Sequence, residues 1–456
     1  MTTSDANSIS DEFLTDPADD DLEVFLTFGE ISEAGCIDLI IEPKSGELQL
    51  VYGRSRGKRK IGRTIEVDGD FYEPGDLNRT FLNATVLPIG IAKYGSTLQL
   101  FESTLDLFKA RGFSDDVAFM STVFAFSTWF PESFAIAPCL AISGPPVESS
   151  FLLQLLECVV RRPLEMGELN RNIFALVPPE WNPTLLIHDL SRGRRSSELL
   201  AISNQPGSHL PCKGTLVETS CAKAVRVGTR ASLDNFSGAI PIRVTPICVP
   251  LPILTPGRQR RIIRDFQPQF LAYRIANQVE VSASQFDLPD CSSEIRILGR
   301  TLASSIVEAP GIIVQIAEKM RSLEEELQAD QWSDTRFLVA ESLLSLCHER
   351  EAGKIYVGEI AKGAQKISRA RGQETTIEAR LVGEVLRSFG FRPHRTAPGI
   401  AITLDVSVRR RIHEVAHGFN LDGTAISPTC TLCVESLHPG PAKTNECEGP
   451  YKEDVQ

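Results

Sequence analysis

No lysine or arginine occurs in the first 43 residues, which carry twelve aspartates and glutamates. A secretory leader needs a basic end and an apolar core, so MTTSDANSISDEF is not expected to be one. The Asp-, Ser- and Thr-rich segment 1–21 reads as a disordered acidic tail. No stretch approaches the roughly 20 uncharged residues of a membrane span. We therefore expect a cytoplasmic chain with no membrane partner. Of the eleven cysteines, Cys139, Cys158, Cys248 and Cys347 stand alone among apolar neighbours. That pattern suits buried thiols in a reducing compartment rather than a disulfide framework. Internal repeats and sustained coiled-coil heptads are also missing.

The 456 residues suggest about three domains at roughly 100 to 200 residues each. Apolar content of 42% and charged content of 23% are those of ordinary globular protein. The formal charge of −12 is carried almost wholly by the acidic start, and the chain after Pro43 is near neutral in sum. A local basic surface for nucleic acid is compatible with such a total.

Strand patterns begin near Glu23. CIDLIIE and LQLVYG flank the turn KSGE as a hairpin, and IEVDGDFYE follows. The intervening cluster Arg54, Arg56, Lys58, Arg59, Lys60 and Arg63 reads as a solvated hairpin end. Residues 103–130 read as helical, and the aromatic run FAFSTWF suits a buried helix packed on a sheet. FAIAPCLAIS, FLLQLLECVVRRPL, NPTLLIHDL, SELLAIS, CAKAVRVGT and AIPIRVTPICV then alternate as strands and helices of a parallel α/β sheet. Near-continuous apolar strands such as TLLI imply burial on both faces. FQPQFLAYRIANQV predicts a further helix. After Pro310 another places Ile313, Ile316, Met320, Leu323 and Leu327 on one face and EEE on the solvated opposite one.

The stretch SGPPVESSFLLQLL occupies the strand-loop-helix setting of a phosphate-binding loop. A working loop reads G-x-x-x-x-G-K-[ST], in which backbone N–H groups close on the phosphates, Lys reaches the β and γ oxygens, and the hydroxyl holds Mg²⁺. Here Gly144, Pro145 and Pro146 open the loop, but Ser149 stands for glycine, Ser150 for lysine and Phe151 for the hydroxyl residue. No one-residue shift restores a lysine.

Residues 118–280 are similar to the P-loop ATPase domains of phage- and plasmid-type primase-helicase proteins, as found on mobile elements. The resemblance is carried by Ser127, Trp129 and Phe130 before the loop, the GPP turn, RRPL at Arg161–Leu164, PTLLI, and the AKA and AIPI strands. It implies an ATPase that uses ATP and Mg²⁺, in which an Asp-Glu pair ends the second acidic strand. The matching positions are His188 and Asp189, expected as the catalytic pair, with Asp189 able to serve the metal after a one-residue slide. The family's D-R-x-I-x-I arginine matches Gly238. Loss of the lysine removes a charge-assisted bond of about 1.5–3 kcal/mol, roughly tenfold to a hundredfold in affinity. Loss of an arginine finger costs about 10³–10⁵ in rate. Candidates to replace these cations are Arg161, Arg162, Lys223 and a neighbouring subunit's Arg192, Arg194 or Arg195, which a homo-oligomer would bring in. Nucleotide contacts are expected from Gly144, Pro145, Pro146, Ser149 and Ser150.

Residues 333–421 change character and resemble a winged helix: three helices, then a basic hairpin at RPHRTAPGIAITLD. Val382, Val385, Leu386 and Phe389 form one apolar stripe. Fourteen Lys/Arg against ten Asp/Glu make this segment net +4. Arg380, Arg387, Arg392, His394, Arg395, Arg409, Arg410 and Arg411 are the expected DNA contacts, chiefly to phosphates. In the tail, Cys430-x2-Cys433-x4-His438-x8-Cys447 offers four ligands for Zn²⁺. The expected fold class is α/β: a P-loop NTPase-like parallel sheet core (111–300) after a β-rich N-terminal domain (22–110), then a helical connector (301–332), the winged helix (333–421) and a Cys/His tail (422–456). The expected function is that of a DNA-associated, P-loop-derived protein impaired in hydrolysis. An active DNA-dependent ATPase and a protein-interaction scaffold stay open as alternatives.

Overall fold

Short strands and apolar alternation at the start of the chain produce two small sheets in the computed structural model. Strands β1 (Val24–Thr27), β6 (Ile65–Val67) and β7 (Asp70–Pro74) form one, ordered β1-β7-β6. Strands β2 (Glu30–Ser32), β3 (Gly35–Ile41), β4 (Leu48–Gly53) and β5 (Lys60–Gly62) form an antiparallel meander around the predicted KSGE turn. Their shared core includes Ile37, Leu39, Leu50, Tyr52 and Trp181. The structure describes residues 24–32, 35–55, 57–169, 174, 177–178, 180–189, 199–200, 202–203, 207–212, 215–227, 238–247, 253–350, 353–373, 376–419, 421, 430 and 432.

A short helix, α1 (Arg79–Asn83), precedes the region read from sequence as one helix over 103–130, which is two helices, α2 (Thr97–Lys109) and α3 (Asp115–Ser127). Gly112, at φ +88°, breaks the run, and Ser114 caps the new start by accepting from Val117 N. α3 is buried almost all round, as its aromatic run requires.

Next come β8 (Cys139–Ser143), α4 (Pro146–Glu157), β9 (Pro163–Glu168), β10 (Thr184–Asp189), the antiparallel pair β11 (His209–Cys212) and β12 (Thr215–Glu218), β13 (Ala222–Arg226) and β14 (Ile240–Arg243). Five of these build one all-parallel sheet ordered β14-β8-β13-β10-β9. Strand β13 thus lies between the strand leading into the GPP turn and the strand ending in Asp189. Leu185, Leu186 and Ile187 are buried on both faces of the sheet, as TLLI predicted.

The helices α5 (Pro256–Ser282), α6 (Ser293–Ser304) and α7 (Pro310–Ser333) follow. The chain divides into two units between Glu324 and Glu325. The second contains α8 (Thr335–Glu349), β15 (Gly353–Tyr356), α9 (Val357–Ala370), α10 (Ala379–Ser388), β16 (His394–Thr396), β17 (Gly399–Leu404) and α11 (Val406–Gly418). Its sheet is antiparallel, ordered β15-β17-β16. Val382, Val385, Leu386 and Phe389 enter a single core with Leu338, Ile360, Ile402 and Ile412. Among the described residues no helix is long and apolar enough to cross a membrane.

Candidate nucleotide and nucleic-acid sites

In an open parallel sheet, ligands sit beyond the carboxyl ends of the strands. At that edge β8 runs into Gly144, whose φ is +131° and where an added Cβ would stand 2.2 Å from the Val244 carbonyl. Only glycine fits so near the end of β14. Pro145 then caps α4 without a side-chain bond, and Pro146 takes the first helical position, where its fixed φ suits the turn. Two consecutive prolines remove two N–H groups from the place where a phosphate loop needs them. Ser149 N is also engaged, donating to Pro145 O at 3.0 Å.

The rest of the loop is turned away from phosphate chemistry. Ser149 is fully buried and its hydroxyl has no hydrogen-bond partner among the described residues. The first-turn acid is Glu148, which accepts from Ile247 N at 3.5 Å. The negative charge that a helix N-terminus favours is therefore supplied by the chain itself. Ser150 is half-buried and lines a cavity of about 610 Å³ with Pro146, Val147, Phe151, Gln154 and Arg226. Among the described residues lining it, Arg226 is the only cation.

His188 lies near the end of β10, its ring paired through Nε2 with Glu165 Oε1 and its carbonyl accepting from Arg226 Nε. Asp189 is the last residue of β10, opposite Glu168 of β9. Glu157 shares the neighbourhood of Glu165. Burial first, then the charge of Glu165, pushes its carboxyl up to about 7, against the bond it accepts from Gln259 Nε2 at 2.6 Å.

The cations nominated as lysine replacements are committed elsewhere. Lys223 is fully buried, and its ammonium donates to the carbonyls of Ser203 (2.9 Å), Thr219 (3.2 Å) and Cys221 (2.8 Å). Arg161 and Arg162 belong to a buried ion cluster. Asp38 of β3 receives Arg161 Nε at 3.1 Å, Arg274 Nε at 2.9 Å and Arg162 NH2, while Glu132 binds Arg274 at 2.9 and 3.0 Å. The surrounding guanidiniums hold the Asp38 carboxyl far below the usual carboxylate range despite its burial. Arg192, Arg194 and Arg195 lie outside the described residues.

In the second unit the nominated DNA contacts separate into two groups. Arg380 and Arg387 are exposed on one face of α10, Arg392 and Arg395 are exposed before and on β16 beside exposed His394, and Arg410 is exposed on α11. Arg380 meets Glu384 at 3.5 Å across an 88% exposed side chain, a contact that solvent screens. Arg409, half-buried, and Arg411, exposed, also bond within the unit. Arg409 NH1 donates to Cys347 O at 3.2 Å, and Arg411 Nε to Phe389 O at 2.8 Å. Unanticipated from sequence, Lys362, Lys366 and Arg369 are exposed along α9 at spacings of four and three. Cys430 is described, whereas Cys433, His438 and Cys447 lie outside the described residues.

No family model and no curated protein matches the chain. Solved structures overlap it loosely. The apo A form of the NrS-1 C-terminal region is 10% identical, covering 81% of this chain and 96% of that one, with a TM-score of 0.29. A full-length MCM homologue from Methanopyrus kandleri is 11% identical over 66% of this chain and 75% of that one, with a TM-score of 0.32. Drosophila ORC bound to DNA is 13% identical over 75% and 96%, with a TM-score of 0.20. Overlap at these scores fixes neither fold nor activity.

Proposed function

We propose that this chain docks on DNA through a winged helix in its second unit and carries a P-loop-derived core that has lost most of its capacity for ATP hydrolysis. The observation that carries the DNA reading is the row of unburied guanidiniums, Arg380, Arg387, Arg392 and Arg395, on the third helix and the hairpin of a unit ordered helix, strand, helix, helix, hairpin. That order supports a winged helix, whose third helix and wing face the duplex. For the core, support comes from β13 inserted between the GPP strand and the Asp189 strand, together with the resemblance to primase-helicase ATPases. The loop that should hold phosphate offers two prolines, a buried serine and a carboxylate. Phosphate transfer is mostly positioning and charge stabilisation, and those are the parts absent.

The test is binding of labelled duplex DNA as a function of salt. Each phosphate contact contributes about 0.9 to the slope of log K against log salt. The triple variant R387A/R392A/R395A is expected to reduce that slope by about 2 to 3 while the fold stays cooperative. An unchanged slope would remove these residues from the interface. A second reading is favoured by Arg226, which lines the cavity together with Ser150 and ends β13 at the carboxyl edge of the sheet. Calorimetric titration with Mg-ATP decides it. Absence of binding at millimolar nucleotide supports the proposed reading. Micromolar affinity abolished by both Arg226→Ala and Asp189→Ala means a working nucleotide site with a substitute cation.

A further inference from the structure

Three side chains of metal-ligating type converge in the second unit. His348 comes from the last turn of α8, His413 from the middle of α11, and Cys430 from the chain beyond α11. His348 Nε2 lies 3.2 Å from His413 Nε2, and Cys430 Sγ lies 3.2 Å from the same nitrogen. All three ligand atoms fall within 4.8 Å of one another.

A backbone carbonyl orients the central ring of this cluster. His413 Nδ1 lies 2.8 Å from the Arg409 carbonyl, an acceptor only, so Nδ1 is the donor of that bond and Nε2 is the atom turned to the cluster. A second imidazole and a thiol then meet that nitrogen. An orienting carbonyl on the far nitrogen is also the usual support of a metal-bound histidine.

The spacing suits zinc. Tetrahedral Zn²⁺ holds nitrogen at about 2.0–2.1 Å and sulfur at about 2.3 Å, which puts two nitrogens about 3.3 Å apart and nitrogen about 3.6 Å from sulfur. The two observed edges lie within a few tenths of an ångström of these. We propose that His348, His413 and Cys430 form a zinc site that ties the chain following α11 back onto α8. This differs from the ligand set suggested by spacing alone, because the partners of Cys430 come from 82 and 17 residues earlier in the sequence rather than from the tail. Among the described residues the cluster supplies three ligands, and water would complete a tetrahedron. The site is independent of the DNA-docking reading.

The full chain, purified without chelator, is expected to contain one zinc per molecule by elemental mass spectrometry. After exchange with Co²⁺ it should show the near-ultraviolet charge-transfer band of a thiolate ligand. Cys430→Ser removes a residue outside the buried core, so loss of that band with cooperative unfolding retained supports the site. His348→Ala and His413→Ala should lower the zinc content to that of a chelated control. Three results overturn the proposal: a metal-free chain that takes up no Co²⁺, zinc retained in all three variants, or zinc lost only when Cys433, His438 or Cys447 is replaced.

Discussion

Replacing Asp38 by asparagine removes one charge from the centre of the buried ion cluster while keeping the size of the side chain and its bond from Leu39 N, 2.8 Å long. The Asp38 side chain is 4% exposed, and those of Arg161, Arg162 and Arg274 are between 0% and 2%. In the wild type three guanidiniums face two carboxylates; in the variant they face Glu132 alone. Unit charges about 4 Å apart interact by about 4 kcal/mol at an effective dielectric constant near 20. The desolvation of Asp38 recovers part of the loss, so breaking the cluster should cost about 3–5 kcal/mol, the usual range when one partner of a buried pair is removed. For a unit of this size, that lowers the melting temperature by roughly 5–15 °C. Tryptophan fluorescence is a local monitor, since Arg162 stacks over Trp181 at 4.7 Å and Arg274 NH1 donates to the Trp129 carbonyl. Asp287→Asn, at an exposed pair with Arg296, is the control and should leave the transition in place. The pH dependence follows from the depressed Asp38 value. Its stabilisation is complete above the unfolded carboxyl value, near 3.9, and is lost as pH falls towards the folded one. The advantage of wild type over D38N should therefore persist from pH 8 to about pH 4 and shrink below. Equal melting at pH 7 would refute the view that this cluster holds the β3 hairpin to the parallel-sheet core.

Three further outcomes follow from the geometry. Glu157 titrates near 7 in the fold, above its unfolded value, so its contribution is greatest at low pH and declines as pH rises through 7. Glu157→Gln should therefore be more stable than wild type at pH 8, by about 1–2 kcal/mol after solvent screening, with the gap closing by pH 5 in urea titrations. Gly144→Ala places a Cβ against the Val244 carbonyl at positive φ and should cost about 1–3 kcal/mol or more, seen as a lower denaturation midpoint. Arg411→Ala should destabilise the second unit by about 1–2 kcal/mol through its lost bond to Phe389 O, whereas Arg410→Ala should leave stability unchanged and weaken DNA binding.

What could be read in the sequence was whatever acts over short spans. The TLLI strand and the stripe on α10 follow from periodicity, and the departures of Ser149, Ser150 and Phe151 from the phosphate-loop pattern are read from a motif with fixed spacing. FLLQLLECVVRRPL read as one helical piece, although its helix ends at Glu157 and its last residues begin β9 at Pro163. Arg161 and Arg162 stood as candidates to replace the missing cations of the phosphate loop. Their burial depends on Asp38, more than 120 residues away, and on Arg274 on α5, which no local pattern connects. Arg226 had a readable signal, a lone arginine closing an apolar strand, which is where a parallel sheet presents side chains to a ligand.

Arg161, Arg162 and Lys223 are each bound by buried carboxylates or carbonyls, so none can swing to a nucleotide without leaving an uncompensated charge or unpaired acceptors behind. Rescue of the loop by relocating a cation from the core is therefore energetically closed. What stays available is a group already at the sheet edge, which is Arg226, or one supplied from outside the chain. Arg226→Ala separates the two: Mg-ATP affinity lost in that variant points to the internal source, and affinity retained points to the external one.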